Sequence, residues 1–90
     1  NLVVEIEMYG KPSGLMATTA DWWIFDTKTE FIFITPQAIK NLIVELNPPL
    51  RQFTGKGDTH PKKAYLIKTD LIKNYSAKIL EHNKLQKPTN

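Results

Sequence analysis

The amino-acid sequence predicts an α/β (α+β) fold with a small central sheet flanked by helices. Three observations carry this expectation. An alternating apolar segment opens the chain at residues 2–9. An apolar run then passes through Thr35-Pro36 into a helical stripe, and a similar strand-to-helix passage returns at Ile67-Lys68-Thr69. The 90 residues make one domain, placed at residues 1–83, with a polar tail at 84–90.

In order, Val3, Glu5 and Glu7 alternate with Val4, Ile6 and Met8, which predicts a strand. Tyr9-Gly10-Lys11-Pro12-Ser13-Gly14 has the residues of a turn. Thr18 stands three residues before Asp21, a spacing that resembles a capping box and predicts a short helix over residues 19–25. Ala20, Trp23 and Ile24 would face the sheet, with Asp21 and Trp22 nearer the rim.

Glu30-Phe31-Ile32-Phe33-Ile34-Thr35 reads as a strand covered on both faces. Thr35 as N-cap and Pro36 at the first helical position start a helix over 36–46, with Ile39, Leu42, Ile43 and Leu46 on one stripe. Asn47-Pro48-Pro49 stops it and opens a long loop, 48–63. Ala64-Tyr65-Leu66-Ile67-Lys68 predicts a third strand, at an edge because of its lysines. Thr69 would cap a last helix whose stripe is Ile72, Tyr75 or Ser76, Ile79 and Leu80.

Composition excludes several classes. No apolar run approaches the ~20 residues of a membrane span, so no membrane partner is expected. The chain has no cysteine, which rules out disulfides and thiolate zinc sites and fits a reducing compartment. The net charge of +3 is mild, with much of the excess between Arg51 and Lys87. It suits a polyanionic partner, and equally an ordinary small basic domain.

Among candidate sites, Glu5 and Glu7 are i and i+2 on a strand, so both carboxylates should project from one face. Such a pair suits a hard cation such as Mg²⁺, and a solvated strand face has the same spacing. His60 has only Asp58 at ligand spacing, so a surface-loop histidine is the simpler account, and His82 is a weaker candidate still. Ser13 and the threonines lack a recognisable base. Trp22 and Trp23 could stack on bases, although at least one is expected in the core. Gly55-Lys56-Gly57 is too short for a phosphate-binding P-loop.

Three segments say more than their spacing. Residues 1–7 (Asn1-Leu2-Val3-Val4-Glu5-Ile6-Glu7), Gly10-Lys11-Pro12-Ser13-Gly14-Leu15 and Thr18-Thr19-Ala20-Asp21-Trp22-Trp23 resemble a stretch of small phage-type nucleases. These belong to the PD-(D/E)XK, or restriction-endonuclease-like, superfamily. Gly57-Asp58, followed by Tyr65-Leu66-Ile67 and a short helix, extends the resemblance to about Tyr75.

The resemblance implies a DNA endonuclease in which Mg²⁺ activates water against a phosphodiester. The family places an Asp on one strand and a Glu-x-Lys on the next. Here no Glu-x-Lys occurs on a strand, and no strand carries the Asp; in Glu5-Ile6-Glu7, Glu7 stands where the lysine would be. The chain therefore resembles the C-terminal half of such a nuclease, lacking N-terminal strands and needing a complementary N-terminal half or a second chain.

By the same resemblance Glu5 and Glu7 are the catalytic candidates, with Glu5 the metal ligand. Lys11, Ser13, Thr18 and Thr19 lie near DNA phosphate, Lys56, Lys62 and Lys63 clamp the backbone, and the setting is the cytoplasm of a phage or bacterial host cell. The alternatives are a non-catalytic nucleic-acid-binding or assembly module of the same fold, and a small interaction domain.

Overall fold

Strand β1 (Leu2–Met8) forms where the alternating pattern placed it. Tyr9 and Gly10 follow with φ of 56° and 72°, the two positive values that a type I′ hairpin loop requires. The chain folds straight back as β2 (Lys11–Pro12), setting Met8 opposite Lys11 and Glu7 opposite Pro12. A 3-10 turn (Gly14–Met16) then lies against β1. The Ser13 amide donates to the Ile6 carbonyl at 2.9 Å, and Leu15 is fully buried.

The computed structural model describes residues 1–53 and 61–82. Among them the domain is mixed α+β, with two antiparallel sheets and two helices instead of one central sheet. The first sheet has the order β2-β1-β6-β5, with β5 at Leu50–Phe53 and β6 at Lys62–Ile67. The expected edge position of β6 is corrected: it is an interior strand, because β5 forms inside the stretch that reads as a loop. The lysines Lys62 and Lys63 sit at the start of the strand, where they leave the pairing intact.

The second sheet is β3 (Trp23–Asp26), β4 (Glu30–Ile34) and β7 (Lys78–Glu81), in the order β3-β4-β7. The helix expected over 19–25 does not form. Trp23 and Phe25 sit opposite Ile34 and Ile32 on the inner face, while Ile24 sits opposite Phe33 on the outer face. That is alternation by two. Thr18 is a side-chain acceptor without a helix: its Oγ1 takes the Ala20 amide at 3.1 Å and the Trp23 indole N–H at 3.3 Å.

Helix α1 (Pro36–Leu46) keeps its predicted bounds, and the Thr35 hydroxyl accepts the Ala38 amide at 3.1 Å. Asn47, with φ of 47°, ends it in the left-handed region. Leu46, expected on the buried stripe, is 44% exposed. Helix α2 (Thr69–Tyr75) is shorter than expected, and Lys68, not Thr69, occupies the N-cap. Ile79 and Leu80 belong to β7 and pair with Ile32 and Phe31.

Val4 and Ile67 of the first sheet, Leu15 of the 3-10 turn, Ile32 and Ile34 of the second sheet, and Ile39, Leu42 and Ile72 of the helices form one hydrophobic core. All are fully buried. Truncating any one to alanine costs about 2–5 kcal/mol, a large share of a small domain's stability. Polar ties brace the helices. Lys73 is 2.8 Å from Glu30, and the Tyr75 hydroxyl donates to Glu45 on α1.

Candidate nucleic-acid interface

Residues opposite each other in antiparallel strands share a face. In the first sheet Leu2, Val4, Tyr65, Ile67 and Leu50 share the inner face, with Val4 and Ile67 in the core. The outer face carries Val3 opposite Leu66, Glu5 and Arg51 flanking Ala64, and a last row of Lys11, Met8, Lys62 and Phe53.

Between Glu5 and Glu7 the register shifts, with Glu5 opposite Ala64 and Glu7 opposite Lys63. Ala64 and Lys63 are successive residues of one strand and point to opposite faces. The bulge therefore sends the two glutamates to opposite sides of the sheet, which corrects the expectation of a shared face. Glu5 accepts a 2.7 Å hydrogen bond from the Ser13 hydroxyl. Glu7 lies 3.3 Å from Lys63, both side chains substantially exposed, a pair worth about 0–1 kcal/mol.

Of the residues expected at DNA, the structure brings Lys11 and Lys62 together and adds Arg51 and Phe53. Lys63 points to the other face. Ser13 is held by Glu5, Thr18 anchors Trp23, and Thr19 is exposed on the connection to β3. Lys56, His60 and Asp58 lie outside the described residues, as does the tail at 84–90.

Arg51 and Phe53 lie in the stretch that reads as a loop, and only the pairing of β5 with β6 gives them a face. The signal available was the length of that loop, long for a compact domain and so an argument for another element inside it.

Three cations and a 39%-exposed phenyl ring thus cluster at one end of this outer face, where Ala64, between Glu5 and Arg51, is 2% exposed. Glu5 is the one acid among the described strand residues of that face. No three His, Asp or Glu side chains converge as metal ligands among the described residues. Glu5 is the single carboxylate these residues offer to a cation on this face. No described helix is long and apolar enough to cross a membrane.

The fold and this surface define the class of molecule, a small α+β domain presenting a basic, aromatic sheet face. No family model, curated protein or solved structure matches the chain.

Proposed function

We propose that the chain is a nucleic-acid-binding module that holds single strands on the outer face of its first sheet. The observation that carries this reading is the common face of Lys11, Arg51, Lys62 and Phe53. Lysine and arginine side chains neutralise phosphates, and an exposed ring on a sheet gives an unpaired base a stacking partner. Among the described residues this face is built from strands, with no helix to enter a major groove, which favours single strands over duplex.

The test is fluorescence anisotropy with a labelled oligonucleotide across a salt series. Three phosphate contacts on a single strand give a slope of log K against log salt near −2, from roughly −0.7 per contact. A slope near zero sinks the proposal.

A catalytic form of the same reading keeps the nuclease resemblance. In it the chain is one component of a Mg²⁺-dependent DNA endonuclease of restriction-endonuclease-like fold. Glu5 joins ligands supplied by an upstream or partner segment, since the described residues provide no others beside it. The supporting observation is that Glu5 shares its face with the three cations. Plasmid cleavage with Mg²⁺, for the chain alone and with its upstream coding region, tests this form.

A further inference from the structure

The second sheet has an outer face that the domain does not cover with any described element. Opposite pairing places Ile24, Phe33 and Lys78 in one row, and Asp26, Phe31 and Leu80 in the next. Ile24 is 55% exposed, and Trp22, 50% exposed, stands at the rim. Trp22, Ile24, Phe33 and Lys78 line an open cleft of about 350 Å³.

Charge is arranged on this face in a particular way. Lys78, on β7, and Asp26, on β3, sit at diagonally opposite corners, with Ile24 and Leu80 at the other two. Lys78 has no acidic partner among the described residues. The Asp26 side chain is 66% exposed, although its Oδ1 lies 2.9 Å from His82 Nε2. That histidine packs on Phe31 with ring centroids 4.3 Å apart, so Asp26 is held out at its corner.

We infer that this face binds a second copy of the chain. A two-fold axis in the plane of contact, running from Ile24 to Leu80, exchanges the two charged corners. Lys78 of each copy then meets Asp26 of the other, each Ile24 and each Leu80 meets its own equivalent, and the Phe31 and Phe33 rings interleave. From strand and residue spacings the two sheets cross at roughly 70°, close to orthogonal sheet packing.

The interface is isologous and closes at two copies. An apolar small molecule would use neither charged corner, and an unrelated acidic peptide would use Lys78 but has no use for Asp26 at the opposite corner. The six-residue face is small beside the ~1,200–2,000 Å² of a standard interface, so the dimer is weak and concentration-dependent.

Sedimentation equilibrium up to millimolar protein tests the inference independently of any nucleic-acid binding. The wild-type chain is expected to shift reversibly from monomer to dimer. Lys78→Glu and Asp26→Lys should each weaken association by about tenfold or more, and the double swap should restore it. Ile24→Glu, at an exposed position, should abolish the dimer while leaving the circular dichroism spectrum and melting curve unchanged. The inference is overturned by a wild-type monomer at millimolar concentration. It is equally overturned by folded single-charge variants that dimerise like wild type, or by a folded double swap that stays monomeric.

Discussion

The Ser13 hydroxyl donates a 2.7 Å hydrogen bond to the Glu5 carboxylate, tying the segment after the first hairpin to the strand that precedes it. The next residue makes the same junction sterically exclusive. Gly14 has φ of +50°, and a Cβ built there would meet the Glu5 carbonyl oxygen at 2.3 Å. Backbone cannot yield as a flexible side-chain tip does. Gly14→Ala is therefore expected to destabilise the domain by more than about 2 kcal/mol, combining clash with left-handed strain. Ser13→Ala should cost only about 1 kcal/mol, one hydrogen bond at a half-buried site. Urea unfolding of both variants checks the ranking, and equal losses would mean that the hydroxyl, not the close approach, holds the junction.

Thr35 and Thr69 stand at matching places in two similar strand-to-helix passages, yet only Thr35 caps. Its hydroxyl accepts the Ala38 amide, whereas Thr69 is already the first residue of α2 and the preceding Lys68 makes no side-chain cap. Thr35→Ala should lower stability by about 1 kcal/mol. Thr69→Ala should stay within about 0.5 kcal/mol of wild type. Thermal melts of the two variants measure the contrast directly.

These passages also mark what could be read from residues alone. Strands β1, β4 and β6 and helix α1 were legible because period, capping and proline placement act within a few residues. β3 and β7 were not. Ile72, Tyr75, Ile79 and Leu80 fit a helical stripe, but the Ser76 hydroxyl and amide close on the Lys73 carbonyl and the Ala77 amide then donates to Phe33 of β4. A strand far away in sequence captures that segment, and local spacing does not contain its pull.

The candidate site divides the same way. Only the nuclease resemblance points to Lys11 and Lys62, while Arg51 and Phe53 join them through pairing of β5 with β6. The bulge that separates Glu5 from Glu7 is likewise a property of two strands, not of the Glu-Ile-Glu spacing.

The braces on α2 weaken at alkaline pH. The hydrogen bond to Glu30 raises the Lys73 pKa above its ordinary 10.5, against some desolvation. The hydrogen bond to Glu45, then burial, raises Tyr75 above 10.0. Both groups hold their protons more tightly folded than unfolded. Their contribution is complete below the unfolded values and is lost as pH rises through the folded ones. Melting temperature should fall above about pH 10, and Tyr75→Phe should flatten that fall. An alkaline melting series settles it, and an identical pH profile for the variant would remove Tyr75 from the account.

Glu5→Gln separates binding from catalysis. Glutamine keeps an oxygen for the Ser13 hydroxyl and removes the one acid among the described strand residues of the basic face. In a binding module the substitution should tighten oligonucleotide binding and leave it indifferent to Mg²⁺. In the catalytic form, completed by an upstream or partner segment, it should abolish Mg²⁺-dependent cleavage. Binding titrations with and without Mg²⁺, beside a cleavage assay of the completed enzyme, distinguish the two.

The basic face itself predicts a pattern that general stickiness of a +3 chain does not. Lys11→Ala, Arg51→Ala and Lys62→Ala should each weaken binding across sequences and reduce the salt slope by about 0.7–1. Phe53→Ala should lose about 1–3 kcal/mol of stacking with the slope unchanged, because a ring releases no counterion. Lys63→Ala is the internal control. It removes the same charge from a neighbouring residue, but that side chain lies on the opposite face beside Glu7. Full affinity and slope in Lys63→Ala, with losses in the other three, assign binding to the outer face. A loss in Lys63→Ala equal to that in Lys62→Ala would mean that net charge, and no particular surface, attracts the nucleic acid.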